Sequence, residues 1–272
     1  MRKPLLHTIT LSAYHLYQIV VLCPTVFFMS VWAGSTMAVM CPFVGWLRSI
    51  MGISDNKAGW GITRPDWWGS FASRWWARII IWASLIPVTV EGKENIDRNT
   101  SYVFVANHQG AYDIFLICGF LGAEIRWMLK RSLEKIPFLG IGCRHAGYIY
   151  VDKGNPGAVR ATYRRAEQAL QGGASLMAFP EGSRTKTGQL NRFKKGAFAL
   201  ADELQLPVVP MTINGSYDIL PPQRDGGFIC RHPLKLTIHE PILPQSRGEE
   251  NIERLMTESY TAIAHSVLPI IR

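Results

Sequence analysis

Charge is what this chain most conspicuously lacks. From Pro4 to Leu47 there is no Lys, Arg, Asp or Glu, and over the whole sequence charged residues make up only 18% against 48% hydrophobic. A water-solvated surface is excluded for that N-terminal stretch. A helix needs about 20 apolar residues to cross the hydrocarbon of a bilayer. Residues 4–47 therefore make either one tilted span or two shorter helices meeting near Ala33-Gly34-Ser35-Thr36. Arg2 and Lys3 precede the stretch, and Arg48 and Lys57 follow it. The positive-inside tendency places both ends on the cytoplasmic side and favours a hairpin. A cleaved signal peptide fits poorly, because the run is longer than a signal core and no small-residue cleavage site ends it.

Other absences narrow the chemistry. Cys23, Cys41, Cys118, Cys143 and Cys230 are scattered without a C-x-x-C pair, which argues for reduced packing residues and against a disulfide framework. There is no zinc-finger spacing, no RNP-like motif and no basic recognition helix, so no nucleic-acid partner is expected. No G-x-S-x-G elbow supplies a serine nucleophile. No H-E-x-x-H or paired-cysteine pattern supplies a metal site. There is also no internal repeat, linker or low-complexity tract.

What remains is a chain of 272 residues with a formal charge of +9. That length supports one substantial core, and the charge favours anionic partners. Trp68, Phe71, Trp75, Ile79 and Trp82 recur at spacings of three and four, with Arg74 and Arg78 on a neighbouring face, as in a helix lying at a lipid interface within reach of phosphates. Strands are expected at residues 101–106, 146–151, 175–179, 207–213 and 234–239. Helices are expected at 113–121, 155–171, 196–204 and 251–267. The order predicts an α/β fold with a mixed central sheet flanked by helices and an N-terminal membrane-embedded hairpin or anchor. Residues 1–66 read as the anchor, 67–90 as the interfacial helix and 91–272 as the α/β domain.

Two segments carry chemistry. Asn107-His108-Gln109-Gly110-Ala111-Tyr112-Asp113 follows a strand directly and offers an imidazole base and a carboxylate. Their spacing of five is off the helical i,i+4 stripe, so a strand-to-helix turn must bring Asp113 back to His108. Phe179-Pro180-Glu181-Gly182-Ser183-Arg184 offers an acid and a cation around a glycine that permits a tight turn. With no covalent nucleophile in view, direct transfer between bound substrates is the simpler scheme.

These segments resemble the motifs of the PlsC-type glycerolipid acyltransferases, which include 1-acylglycerol-3-phosphate O-acyltransferases. Asn107-His108 with Asp113 is similar to the first family block, and Gly147-Tyr148-Ile149-Tyr150-Val151-Asp152-Lys153 to the second. Phe179 to Arg184 resembles the third and Leu206-Pro207-Val208-Val209-Pro210 the fourth. The likeness covers roughly residues 90–240, and the apolar N-terminus resembles the anchor of bacterial members. Gly110 stands where a Ser is common. Lys153 stands where Arg is usual, which keeps the charge but loses the planar fork.

The resemblance implies transfer of a fatty acyl group from acyl-CoA or acyl-acyl-carrier-protein to lysophosphatidic acid, giving phosphatidic acid, with no tightly bound cofactor. It further implies membrane phospholipid as a partner and a bacterial inner membrane with the catalytic domain on the cytoplasmic side. His108 is then the base and Asp113 its orienting partner. Asn107, Lys153, Glu181, Gly182, Arg184, Lys130, Lys194 and Lys195 are the candidate substrate-binding residues, with Arg131 and Arg192 as further cations. Another lysophospholipid or an amino-acid-containing lyso-lipid is the alternative acceptor. A noncatalytic membrane adaptor is the alternative of a different kind.

Overall fold

The chain is described by a computed structural model that covers residues 12–51, 65–97, 100–135, 147–151, 174–224 and 227–269, with isolated positions 140, 143, 144, 164, 166 and 170. The helix expected at 155–171 lies mostly outside these residues, and Lys153 entirely so.

The uncharged N-terminal run forms one continuous helix, α1, from Ser12–Ile50. Its turn Gln18–Leu22 is widened to a π-helix just ahead of Pro24, whose missing N–H breaks the ordinary ladder. The Thr25 hydroxyl bonds back to Val21 O at 2.7 Å. The reversal expected near Ala33-Gly34-Ser35-Thr36 is absent. Ala33 and Gly34 are buried in mid-helix with Met37 and Cys41, because small residues here permit close packing of a second helix. At 39 residues, α1 is about 58 Å long at 1.5 Å per residue. A single upright crossing of about 30 Å of hydrocarbon leaves roughly half of it outside.

The second helix is α2, Pro65–Ala83. Ala72 packs with Ala33, Met37 and Cys41, and Trp76 Nε1 donates to Ser30 Oγ at 3.0 Å. The aromatic stripe is divided between two surroundings. Trp68 joins the α1 contact, while Trp75 and Trp82 remain exposed. Arg78 does not reach outward for phosphates. Its Nε donates to Gly119 O at 2.7 Å, and its guanidinium lies over the Trp75 and Phe120 rings.

The remaining strands and the longer helices, in chain order, are β1 Val88–Glu91, β2 Val103–Ala106, α3 Tyr112–Phe120, β3 Ile125–Lys130, β4 Ile149–Val151, β5 Ser175–Ala178, α4 Gly196–Leu204, β6 Val208–Asn214, β7 Leu234–Ile238 and α5 Glu249–Ser266. The seven strands form one sheet in the order β1-β7-β6-β2-β5-β3-β4. Every pairing is parallel except β6 with β7, so the sheet is mixed.

Strands β2, β5 and β6 are buried at every position, as expected of strands covered on both faces. Phe104, Met177 and Met211 pack on one side with Leu116 and Ile117 of α3 and Ile81 of α2. Val103, Val105 and Leu176 pack on the other with Phe198 of α4 and Leu255 of α5.

Candidate active site

Register assembles the site. In the parallel pair β2–β5, Val105 is the partner of Ala178. Three residues beyond each lie His108 and Glu181, so the two motifs emerge side by side at the carboxyl ends of adjacent strands, where α/β sheets place their reactive groups. Glu181 Oε1 accepts the His108 N–H at 2.7 Å, and the Thr185 N–H donates to His108 O at 2.8 Å. Phe179 lies flat against the imidazole, with ring centroids 3.8 Å apart and planes within 5°.

Asp113 reaches back as the turn requires. It is fully buried in the first turn of α3, where the helix dipole favours a negative charge. Its Oδ2 meets His108 Nδ1 at 2.7 Å and accepts the backbone N–H groups of Gln109 at 2.7 Å and Gly110 at 2.9 Å. An ionised carboxylate only accepts hydrogen bonds, so Nδ1 carries the proton and Nε2 keeps its lone pair. Among the described residues no hydrogen bond occupies Nε2. The geometry is that of a base oriented by an acid.

Gly110 is closely fitted. A Cβ there would lie 2.9 Å from both Ser216 O and Ser216 Oγ and 3.1 Å from Leu220 O. This accounts for a glycine at position 110.

Glu181 is 4% exposed, and its second oxygen, Oε2, accepts Asn191 N–H at 3.0 Å and Asn191 Nδ2 at 2.6 Å. Burial raises its pKa above the ordinary carboxylate value, against the opposing pull of the hydrogen bonds from His108 and Asn191. Both oxygens are engaged by protein, so Glu181 ties the two motifs together. Gly182 turns the chain at φ +75°. A Cβ at that position would meet Lys194 Nζ at 2.7 Å, so the glycine admits the ammonium.

The other predicted residues divide. Asn107 is buried, with Nδ2 donating to Ile213 O at 2.9 Å and Oδ1 accepting Ile213 N–H at 2.7 Å. Its amide thus completes the β2–β6 seam. Arg184 is half-buried in the turn after Glu181. Lys195 pairs with Glu249 and Glu253 of α5 and so leaves the site. Lys130 ends β3, and only its backbone is described. Arg131 pairs with Glu134 at 3.7 Å, and Arg192 is exposed.

His108, Phe179, Gly182 and Lys194 line a cavity of about 830 Å³ whose remaining wall is almost wholly apolar. It extends to Trp127 of β3, to the half-buried Leu133 beyond that strand and to Val31 and Met37 of α1. Sequence reasoning did not find this wall, nor Phe179 as the surface under the imidazole, nor Asn191. The only available signal for Asn191 was its place just before the Phe193-Lys194-Lys195-Gly196 segment. None of the five cysteines forms a disulfide. Cys118 and Cys143 line the cavity, and burial pushes their thiols up to about 12 and about 11, which keeps them in the unreactive thiol form.

Residues 87–214 match the family model described as Acyltransferase. The chain is 34% identical over 174 residues to the chloroplastic 1-acyl-sn-glycerol-3-phosphate acyltransferase LPAT1 of Arabidopsis thaliana, covering 63% of this chain and 48% of that protein. It is 32% identical over 148 residues to the 1-acyl-sn-glycerol-3-phosphate acyltransferase of Pseudomonas aeruginosa, covering 52% of this chain and 57% of that protein. The chain thus spans about half the length of the curated relatives it matches. The crystal structure of the 1-acyl-sn-glycerophosphate acyltransferase PlsC from Thermotoga maritima superposes with a TM-score of 0.68 at 25% identity, covering 92% of this chain and 95% of that one.

Proposed function

We propose that this chain, which belongs to the PlsC-type acyltransferase family, transfers a fatty acyl group from an acyl thioester to the free sn-2 hydroxyl of lysophosphatidic acid, forming phosphatidic acid. The observation that carries the reading is the pairing of His108 Nδ1 with Asp113 Oδ2 at 2.7 Å at the edge of an apolar cavity of about 830 Å³.

In this reading His108 Nε2 takes the proton of the glycerol hydroxyl as its oxygen attacks the thioester carbonyl. Asp113 stabilises the imidazolium that forms. The tetrahedral intermediate collapses with loss of the thiolate, which recovers the proton from His108. The acyl chain occupies the apolar cavity, where each buried methylene contributes about 0.8 kcal/mol. Lys194 and Arg184 attract the acceptor phosphate beside Gly182, with Lys130 and Lys153 as further phosphate contacts. Asn107 and Glu181 act by positioning His108. Acyl-CoA and acyl-acyl-carrier-protein both present the required thioester, and no tightly bound cofactor enters the scheme.

Residues 1–66 serve as the anchor, 67–90 as the interfacial helix and 91–272 as the acyltransferase domain, at a bacterial inner membrane with the site on the cytoplasmic side. The departures at Gly110 and Lys153 favour one second reading, in which the acceptor is another lysophospholipid or an amino-acid-containing lyso-lipid. Incubation of the purified protein with labelled acyl thioester and a panel of lyso-lipids separates the two. Product from lysophosphatidic acid supports the first reading, and exclusive use of an acceptor without glycerol phosphate overturns it.

A further inference from the structure

The base of α1 is fastened to a loop of the α/β core by an unusual contact. Gln18 is 2% exposed and lies in the widened turn Gln18–Leu22. Its amide donates to Ile229 O at 3.0 Å and accepts the Ile229 N–H at 2.8 Å, across 211 residues of sequence. Two tyrosines of α1 brace the same joint, Tyr14 donating to Ser84 O at 2.9 Å and Tyr17 to Ala83 O at 2.8 Å. His15 stacks on Phe228 with ring centroids 4.3 Å apart.

The surface around this joint is apolar. Leu16, Ile19 and Val20 of α1 are 62%, 55% and 62% exposed, Phe228 is 42% exposed and Leu85 is 47% exposed. Leu85 holds a left-handed backbone at φ +56°, which is uncommon for a branched side chain. Its carbonyl accepts Arg231 Nε at 2.8 Å.

Gln18 and Ile229 are both buried in the protein, so the side-chain amide and the peptide group need each other whatever surrounds the joint. In hydrocarbon or at its boundary, an unpaired amide and an unpaired peptide group each cost several kcal/mol. The reciprocal pair satisfies all of these groups at once. It does so where a helix with no charged residue over 12–47 meets a loop that buries Ile229 and turns Phe228 outward.

We propose that loop 227–231 of the core is a second lipid-contacting element. Phe228, with Leu85, enters the boundary between headgroups and acyl chains of a phospholipid bilayer beside α1, and Arg231 meets the lipid phosphates. The apolar rim is continuous with the exposed face of α1, and aromatic rings with a flanking cation suit that depth. Two contacts from distant parts of the sequence fix the tilt of the core on the membrane, whatever the acyl acceptor.

The test uses the full chain in vesicles of phosphatidylethanolamine and phosphatidylglycerol. In a Cys23→Ser, Cys230→Ser background, a spin label is attached through Phe228→Cys or, as the water-facing control on α5, through Glu258→Cys. The background protein serves as the blank. Accessibility to oxygen relative to a water-soluble nickel reagent is expected to be several-fold higher at 228 than at 258. Equal ratios at the two positions overturn the proposal. The conservative Phe228→Trp variant gives an independent reading. Brominated lipid is expected to quench it more than the unsubstituted protein, and no added quenching counts against the loop.

Discussion

Glu181 accepts the backbone N–H of His108 at 2.7 Å, a contact set by the β2–β5 register in which Val105 faces Ala178. The same carboxylate accepts two donors from Asn191, so one buried acid organises three segments of the site. Replacing it by Gln turns one acceptor into a donor facing N–H groups. Glu181→Gln is expected to loosen the hold on the His108 N–H while removing the cost of a buried charge, so its effect on stability should be small. Because Glu181 acts through His108, kcat should fall with little change in KM for the acceptor. Urea denaturation and steady-state kinetics measure the two effects.

The raised Glu181 pKa makes a signed prediction. The folded protein holds this proton more tightly than the unfolded chain, so the stability it contributes is full below the unfolded carboxylate pKa. That contribution is lost as pH rises through the folded value. Transfer activity should run the opposite way through the same window, because the three N–H donors need the carboxylate. Thermal denaturation against pH should therefore show a weakening on the alkaline side of that window which Glu181→Gln lacks. An identical profile in the variant would remove Glu181 from the account.

Gly110→Ser restores the residue common in the family and is nonetheless expected to destabilise this chain. The added Cβ would meet two Ser216 oxygens at 2.9 Å, and overpacking of this kind costs about 1–3 kcal/mol. The hydroxyl of Ser216 is one of the two nearest atoms, so Ser216→Gly should recover part of the loss in the double variant. Differential scanning calorimetry of the single and double variants measures it.

The cavity wall predicts donor selectivity. Met128 of β3 is half-buried and lines the cavity, so Met128→Trp removes space from the apolar compartment. Each methylene displaced is worth about 0.8 kcal/mol, so kcat/KM should fall for long acyl donors and hold for short ones. Competition between acyl thioesters of different length reads the change directly.

Helix α4 and strands β2, β5, β6 and β7 were legible because hydrophobic runs between turn residues determine them locally. Strand β3 was not, since Arg126 interrupts its apolar pattern. The structure buries that arginine beside Glu124, with Nη2 and Oε1 at 3.1 Å. The His108 and Asp113 motif signalled its pairing through residue type, yet the distance depended on a turn that only the fold supplies. Nonlocal partners were beyond reach. Asn107 meets Ile213, Lys195 turns to Glu249, and Arg78 closes on Gly119. A continuous α1 in place of a hairpin goes with the tertiary packing of Ala33 and Ala72 in one cluster, which composition does not encode.

The most direct measurement is transfer of a labelled acyl group from a thioester to lysophosphatidic acid by His108→Ala, at matched protein and lipid and with an unchanged thermal transition. Loss of the base should lower the turnover rate by about 10² to 10⁴-fold while vesicle binding is retained. Turnover equal to that of the unsubstituted protein would contradict the assignment of His108 as the group that takes the acceptor's proton.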